Sequence, residues 1–370
     1  MFFSMMNRSP IRWLLATALL GAGGCATPKT LAPGPLAQDA VDRFLAGGRD
    51  ARTYGITIYP GAAGTRFEFA NRPRPERTAR MNFAGARASL MPIVKGSSAI
   101  TDPFPILLDT SSRQSWATLA AAKGLEYRTF APPEGEYADH VAAEIPGYAG
   151  VGNKLIFDKL HVESPVYYVA PATGGLGALA RAAERPDLPA PAVAKREKAA
   201  ARLPLVLGNE TLRNFSYVRF DFPARAIAFA STRGYKPANA AAVAANLPML
   251  DWRGRPAIQA ELDGAPLTLV LDTAGDFDLA LPGEPPAETG RLALGDLVHE
   301  AATIDAHSAL GLPEAFPARL GLGVLTDYAV TFDYKNRRVW LEDPRRAAAD
   351  PAAAAEAEIS EPIHYRGVRP

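Results

Sequence analysis

Short apolar runs, several of them alternating with polar residues, recur along this chain between Gly, Pro and Asp/Asn clusters, the pattern of short strands joined by turns. Residues 54–59 alternate and read as a first strand, and 88–94 lead toward the apolar run Ile106-Leu107-Leu108. Residues 155–162 and 166–169 read as two further strands joined by a turn, with 291–298 as their later counterpart. In the second half, 256–262 alternate, Asp263-Gly264 makes a hairpin turn and 266–271 return. Residues 116–125 read as a short helix closed by Gly124. Long helical patterns are scarce between residues 50 and 343, so the expected class is mainly β.

Two of the apolar runs end in an acid. The first is Ile106-Leu107-Leu108-Asp109-Thr110-Ser111-Ser112 and the second is Leu269-Val270-Leu271-Asp272-Thr273-Ala274-Gly275. A carboxylate at the end of such a run is directed inward, where an ionised group is costly unless something uses it. Two in matching contexts suggest a pair that meets. The repetition continues with Leu205-Val206-Leu207-Gly208-Asn209, Tyr217-Val218-Arg219-Phe220-Asp221-Phe222 and Ala226-Ile227-Ala228-Phe229. Its second occurrence is Leu320-Gly321-Leu322-Gly323, Ala329-Val330-Thr331-Phe332-Asp333-Tyr334 and Val339-Trp340-Leu341. Asp221 lies 13 positions after Gly208 and Asp333 lies 12 after Gly321, so the chain carries an internal duplication.

These residues resemble the aspartic peptidases, both the two-lobed pepsin type and the half-sized retropepsin-like type. The family pattern is apolar-apolar-Asp-Thr-Gly-Ser/Ala, then apolar-apolar-Gly, a strand ending near Phe-Asp and a last strand. Asp109-Thr110-Ser111-Ser112 with Trp116 is similar to the pepsin-type Asp-Thr-Gly-Ser-Ser-x-x-Trp. The resemblance covers roughly residues 85 to 343, with a gap after Pro171.

It implies a mainly β, bilobal, pepsin-like architecture: two duplicated retropepsin-like β-barrel lobes with an active-site cleft between them. It implies Asp109 and Asp272 as the catalytic pair, supported by Thr110, Thr273, Ser111, Ser112, Ala274 and Gly275. Each threonine hydroxyl would bond to the opposite loop. The two carboxylates would share one proton and activate water for peptide hydrolysis without a covalent intermediate, with no cofactor and no metal. A flap would fall between the short helix and Leu155, where Tyr137 and Tyr148 lie, neither of them assigned. Taken singly, each Asp also fits a turn or cap at a strand end, and each Thr ordinary β-propensity.

One departure opens a second reading. The family glycine after Asp-Thr, which lets the backbone approach the pseudo-twofold axis without a Cβ, is Ser111 in the first copy and Ala274 in the second. The alternative to an endopeptidase is therefore a catalytically weak or inactive relative that binds peptides or envelope proteins.

Composition narrows the picture further. Of 370 residues, 48% are hydrophobic and 21% charged, enough for two compact units, and a net charge of +1 provides no field for nucleic acid. Arg8 and Arg12, then Trp13 to Leu20 and the small residues before Cys25, read as a secretory signal that resembles a bacterial lipoprotein signal, with ordinary cleavage nearby as the alternative. The expected protein is exported to the bacterial envelope, held to the periplasmic face of a membrane by lipid on Cys25 or else in the periplasm, and works as a monomeric unit on a peptide or protein substrate. Cys25 is the sole cysteine, so no intramolecular disulfide is available.

The expected divisions are a signal peptide (1–24), a tether (25–50), an N-terminal lobe (51–231) with an insertion at about 172–202, a linker (232–248), a C-terminal lobe (249–343) and an Ala-rich tail (344–370). The insertion reads as a surface loop with some helix; a regulatory cleavage site there is the other possibility. No Gly-x-Ser-x-Gly elbow surrounds any serine, and His299, Asp305 and His307 lack zinc-motif spacing.

Overall fold

The computed structural model describes residues 56–59, 66–69, 76–84, 91–98, 100–130, 148–152, 154–162, 166–170, 203–310, 312 and 314–349. The expected signal peptide with Cys25, the tether, Tyr137, the insertion at 172–202 and the tail beyond 349 lie outside them. The described chain is mainly β, and among these residues no helix is long and apolar enough to cross a membrane.

The duplication in the sequence is a duplication in the fold. In the first copy the strands run Ile93–Ser98, Phe104–Asp109, Leu205–Gly208, Trp116–Thr118 and Val166–Ala170 across the sheet. In the second copy the order is Arg255–Leu262, Ala265–Leu271, Ala318–Leu320, Leu279–Leu281 and Leu297–Ala306. The senses match too: the strand leading to each Asp pairs parallel with the strand ending at or before Gly208 or Gly321. That strand then pairs antiparallel with the short strand after each Asp loop. Register agrees to the residue, Leu108 opposite Leu207 in one copy and Leu271 opposite Leu320 in the other. In the second copy Thr289–Leu294 pairs with both Leu297–Ala306 and Arg255–Leu262, which closes six strands into a barrel.

Strands flanked on both sides lose the polar alternation and become continuously apolar. Ile106, Leu107, Leu108, Leu269 and Leu271 are fully buried, each contributing about 1.5–3 kcal/mol of hydrophobic stabilisation. One core cluster joins residues of both copies, so the two halves do not stand on separate cores.

A third sheet draws strands from both copies in the order Val243–Pro248, Arg338–Glu342, Ala329–Asp333, Tyr217–Asp221, Ala226–Ala230 and Thr78–Asn82. Its middle pairing sets Arg219 opposite Thr331 and Phe220 opposite Val330, and Phe220 meets Phe332 edge-on at 5.6 Å. The inner face is apolar. The other face carries Arg219, which bonds Glu342 at 3.1 Å and Asp221 at 2.6 Å. Asp221 and Asp333 end their strands and accept from Ala224 N and Asn336 N, so they are turn residues.

Residues 243–248, within the stretch expected to join the lobes, form an edge strand on Arg338–Glu342. Two expectations are corrected. Residues 116–125 divide into the strand Trp116–Thr118 and the helix Leu119–Gly124, capped by the Thr118 hydroxyl. That helix ends on Glu126 at φ 56° rather than on glycine, with Glu126 N to Lys123 O at 3.1 Å and Tyr127 N to Ala122 O at 2.8 Å, a Schellman closure. Residues 155–162 form a hairpin rather than one strand, because Asp158 takes φ 51° between Leu155–Phe157 and Leu160–Val162. The Asp263-Gly264 turn is as expected, with both residues at positive φ.

Candidate functional site

The strands Phe104–Asp109 and Ala265–Leu271 bring the two Asp-Thr loops together, and the threonines bind each other reciprocally. Thr110 Oγ1 donates to the Leu271 carbonyl at 2.6 Å, and Thr273 Oγ1 donates to the Leu108 carbonyl at 2.9 Å. Thr110 N donates to Thr273 Oγ1 at 3.1 Å, and Thr273 N to Thr110 Oγ1 at 3.3 Å. All of this is fully buried. Each threonine thus fixes the carbonyl of the residue just before the opposite Asp. Thr273→Val is expected to cost about 1–3 kcal/mol, since it removes a buried donor and a buried acceptor together. Urea unfolding measures this, and Thr273→Ser, which keeps the hydroxyl, should recover most of it. An equal loss in the Ser variant would show that keeping the hydroxyl is not enough to preserve the stability.

Each loop folds over the glycine on the neighbouring parallel strand. Gly208 lies beside Asp109 in register, and a Cβ there would sit 2.1 Å from the Gln114 carbonyl oxygen. A Cβ on Gly321 would sit 2.2 Å from the Phe277 carbonyl oxygen, at the equivalent place in the second loop. The amides that follow close the contact: Asn209 N to Ser112 O and Leu322 N to Gly275 O, both 2.8 Å. Asn209 also donates to the Gly254 carbonyl at 2.7 Å and accepts from Tyr334 OH at 2.6 Å. Burial pushes the Tyr334 phenol well above its ordinary pKa, so it stays a donor.

Ser111 and Ala274 fit these loops without glycine, since neither has a positive φ. Ser111 supports the acid directly: its N–H and Oγ reach Asp109 Oδ1 at 2.9 and 2.8 Å, and Ser112 N reaches it at 3.0 Å. Ser112 Oγ donates instead to the Gln114 carbonyl at 2.7 Å. In the second loop Ala274 N donates to Asp272 Oδ1 at 3.0 Å, and Gly275 lies so close that an added Cβ would meet the Asp272 carboxyl carbon at 2.9 Å.

Asp272 has a partner that the motif does not foretell. Arg319, itself 1% exposed, places Nη1 at 3.3 Å from Asp272 Oδ2. Its guanidinium lies over the Phe316 ring at 4.8 Å, and Arg255 lies over the same ring at 4.8 Å. Arg255, also 1% exposed, donates from Nε to the Ser111 carbonyl at 2.7 Å. A chain of contacts therefore runs Ser111, Arg255, Phe316, Arg319, Asp272, with Trp252 edge-on to Phe316 at 5.1 Å. Asp109 and Asp272 are both fully covered.

Sequence reasoning missed Arg255, Phe316 and Arg319. For Arg319 a signal existed: aligned on Gly208 and Gly321, it stands where the first copy has the buried Val206. A charge at a core position of a duplicated strand calls for a counter-charge nearby. Arg255 and Phe316 carry no such mark. A cavity of roughly 350 Å³ lined by Leu247, Leu250, Gln259, Glu261 and Pro266 includes neither acid nor any of these residues in its wall.

No protein-family model matches this chain, and no curated protein matches it either.

Proposed function

We propose that this chain is an aspartic-type endopeptidase of the bacterial cell envelope, two-lobed in the pepsin manner, with Asp109 and Asp272 as its dyad across a cleft. The observation that carries the reading is the reciprocal Thr110–Thr273 bonding, which ties the residue before each acid to the threonine after the other. The matching strand order of the two copies and the sheet shared between them support it. In this reading one carboxyl group takes a proton from water while the other donates to the scissile carbonyl oxygen. Water adds to the carbonyl carbon and the amine leaves protonated, with no acyl-enzyme formed. Ser111 and Ser112 orient Asp109, and lipid on Cys25 tethers the enzyme to its membrane.

A second reading is favoured by the Asp272–Arg319 ion pair and by the complete burial of both acids: a relative that keeps the scaffold, does not hydrolyse, and binds peptides or envelope proteins. The two are separated by incubating the intact chain with a mixed peptide library from about pH 3 to about pH 7, with and without a statine-type inhibitor. The endopeptidase gives cleavage that the inhibitor blocks and that Asp109→Asn abolishes. Peptide binding with no cleavage at any pH supports the second reading. The Ser111→Gly variant should be less active than the parent, because it loses the hydroxyl that bonds Asp109.

A further inference from the structure

We propose that Arg319 is a built-in latch on the candidate dyad: it holds Asp272 in an ion pair that slows the pair of acids until the guanidinium is withdrawn. The inference rests on the hydrolytic reading of Asp109 and Asp272. Water activation by two carboxyl groups needs a proton shared between them, which offsets their mutual repulsion and supplies the general acid. Here a fixed positive charge stands at Asp272 Oδ2, 3.3 Å away, and takes over the first of these tasks without being able to perform the second. A guanidinium carries only donors and keeps its proton, so it is no substitute for a carboxylic acid.

The position is specific to the second copy. Arg319 lies in the strand Ala318–Leu320, hydrogen-bonded to a strand on either side, so its backbone is held and a withdrawal would be a movement of the side chain. Against the side chain lies Phe316, packed between Arg319 and Arg255 and braced by Trp252. Phe316 sits three residues before Arg319 on a segment whose Glu314 and Ala315 are exposed, and Glu314 accepts from the Gly283 amide. Phe316 is thus carried by a surface segment, whereas the arginine it packs against is anchored in a sheet. The equivalent residue of the first copy, Val206, is fully buried and cannot make an ion pair.

Arg319→Val, which gives the second copy the residue of the first, is expected to raise kcat/KM for inhibitor-sensitive peptide cleavage by roughly tenfold or more. Phe316→Ala should raise it by a smaller factor, and adding Asp109→Asn to Arg319→Val should abolish the gain. Circular dichroism and thermal melts establish that each variant is folded, and Arg319→Met takes the place of Arg319→Val if the latter is not. A folded Arg319 variant that cleaves no faster than a parent whose own cleavage depends on Asp109 overturns the latch and leaves the peptidase reading intact. No cleavage and no statine-type inhibitor binding by either protein overturns both.

Discussion

Asp272→Asn is expected to destabilise the chain by about 3–5 kcal/mol, the size of loss that follows when one partner of a buried ion pair is removed. Arg319 is 1% exposed and Asp272 is fully buried, so no solvent reaches the guanidinium to replace the lost charge. The magnitude reflects the charge left behind more than the strength of the contact at 3.3 Å. It follows that the double variant Asp272→Asn/Arg319→Met should be more stable than Asp272→Asn alone, recovering roughly half of the loss or more, because neither charge then remains. Guanidinium chloride unfolding of the four members of the cycle measures this. A double variant at or below the sum of the two single losses would show that the pair is not coupled. The result bears on function as well: loss of activity in Asp272→Asn has two causes, which is why Asp109→Asn is the cleaner catalytic control.

Gly208→Ala and Gly321→Ala should each cost about 3 kcal/mol or more, or prevent folding, at the upper end of what overpacking does. The added Cβ would lie 2.1 Å from the Gln114 oxygen in one case and 2.2 Å from the Phe277 oxygen in the other. Both obstacles are backbone atoms of the Asp loops, so relief requires moving the loop that carries the acid. A displacement near 1 Å is enough to lower the rate of a positioned catalytic pair by about a hundredfold. Gly264→Ala is the informative control. There φ is +82° but no atom lies within 4 Å, so the penalty is conformational only, about 1–2 kcal/mol, with no effect on the Asp loops. Thermal melts and cleavage assays on the three variants rank them. A Gly321→Ala variant no worse than Gly264→Ala would mean that the loop is not packed against its strand as described.

The Asp-Thr duplication, the mainly β class, the Asp263-Gly264 hairpin and the apolar strands flanking each acid are all legible along the chain, because each is written in local periodicity and turn chemistry. The pairing of the two threonines was legible only through the family resemblance. The division of residues 116–125 was not, since an Ala-rich stretch after Trp116 looks helical from its first residue until a parallel strand claims the Trp.

What the sequence alone determined is that this protein builds the same short-strand unit twice and ends a buried strand of each in an acid, since strand period and motif order need no knowledge of distant neighbours. The tertiary structure decided everything that depends on which distant segments pack together. Residues 243–248 became a strand on finding the edge of Arg338–Glu342, and Ser111 became a ligand of Asp109 rather than an obstacle. Arg319 stands at a core position of the repeat, but only the fold shows that it is enclosed against Asp272. Burial is a property of the assembled chain: the same arginine is cheap in water and tolerable inside only beside an opposite charge, and no local pattern records where that charge will be.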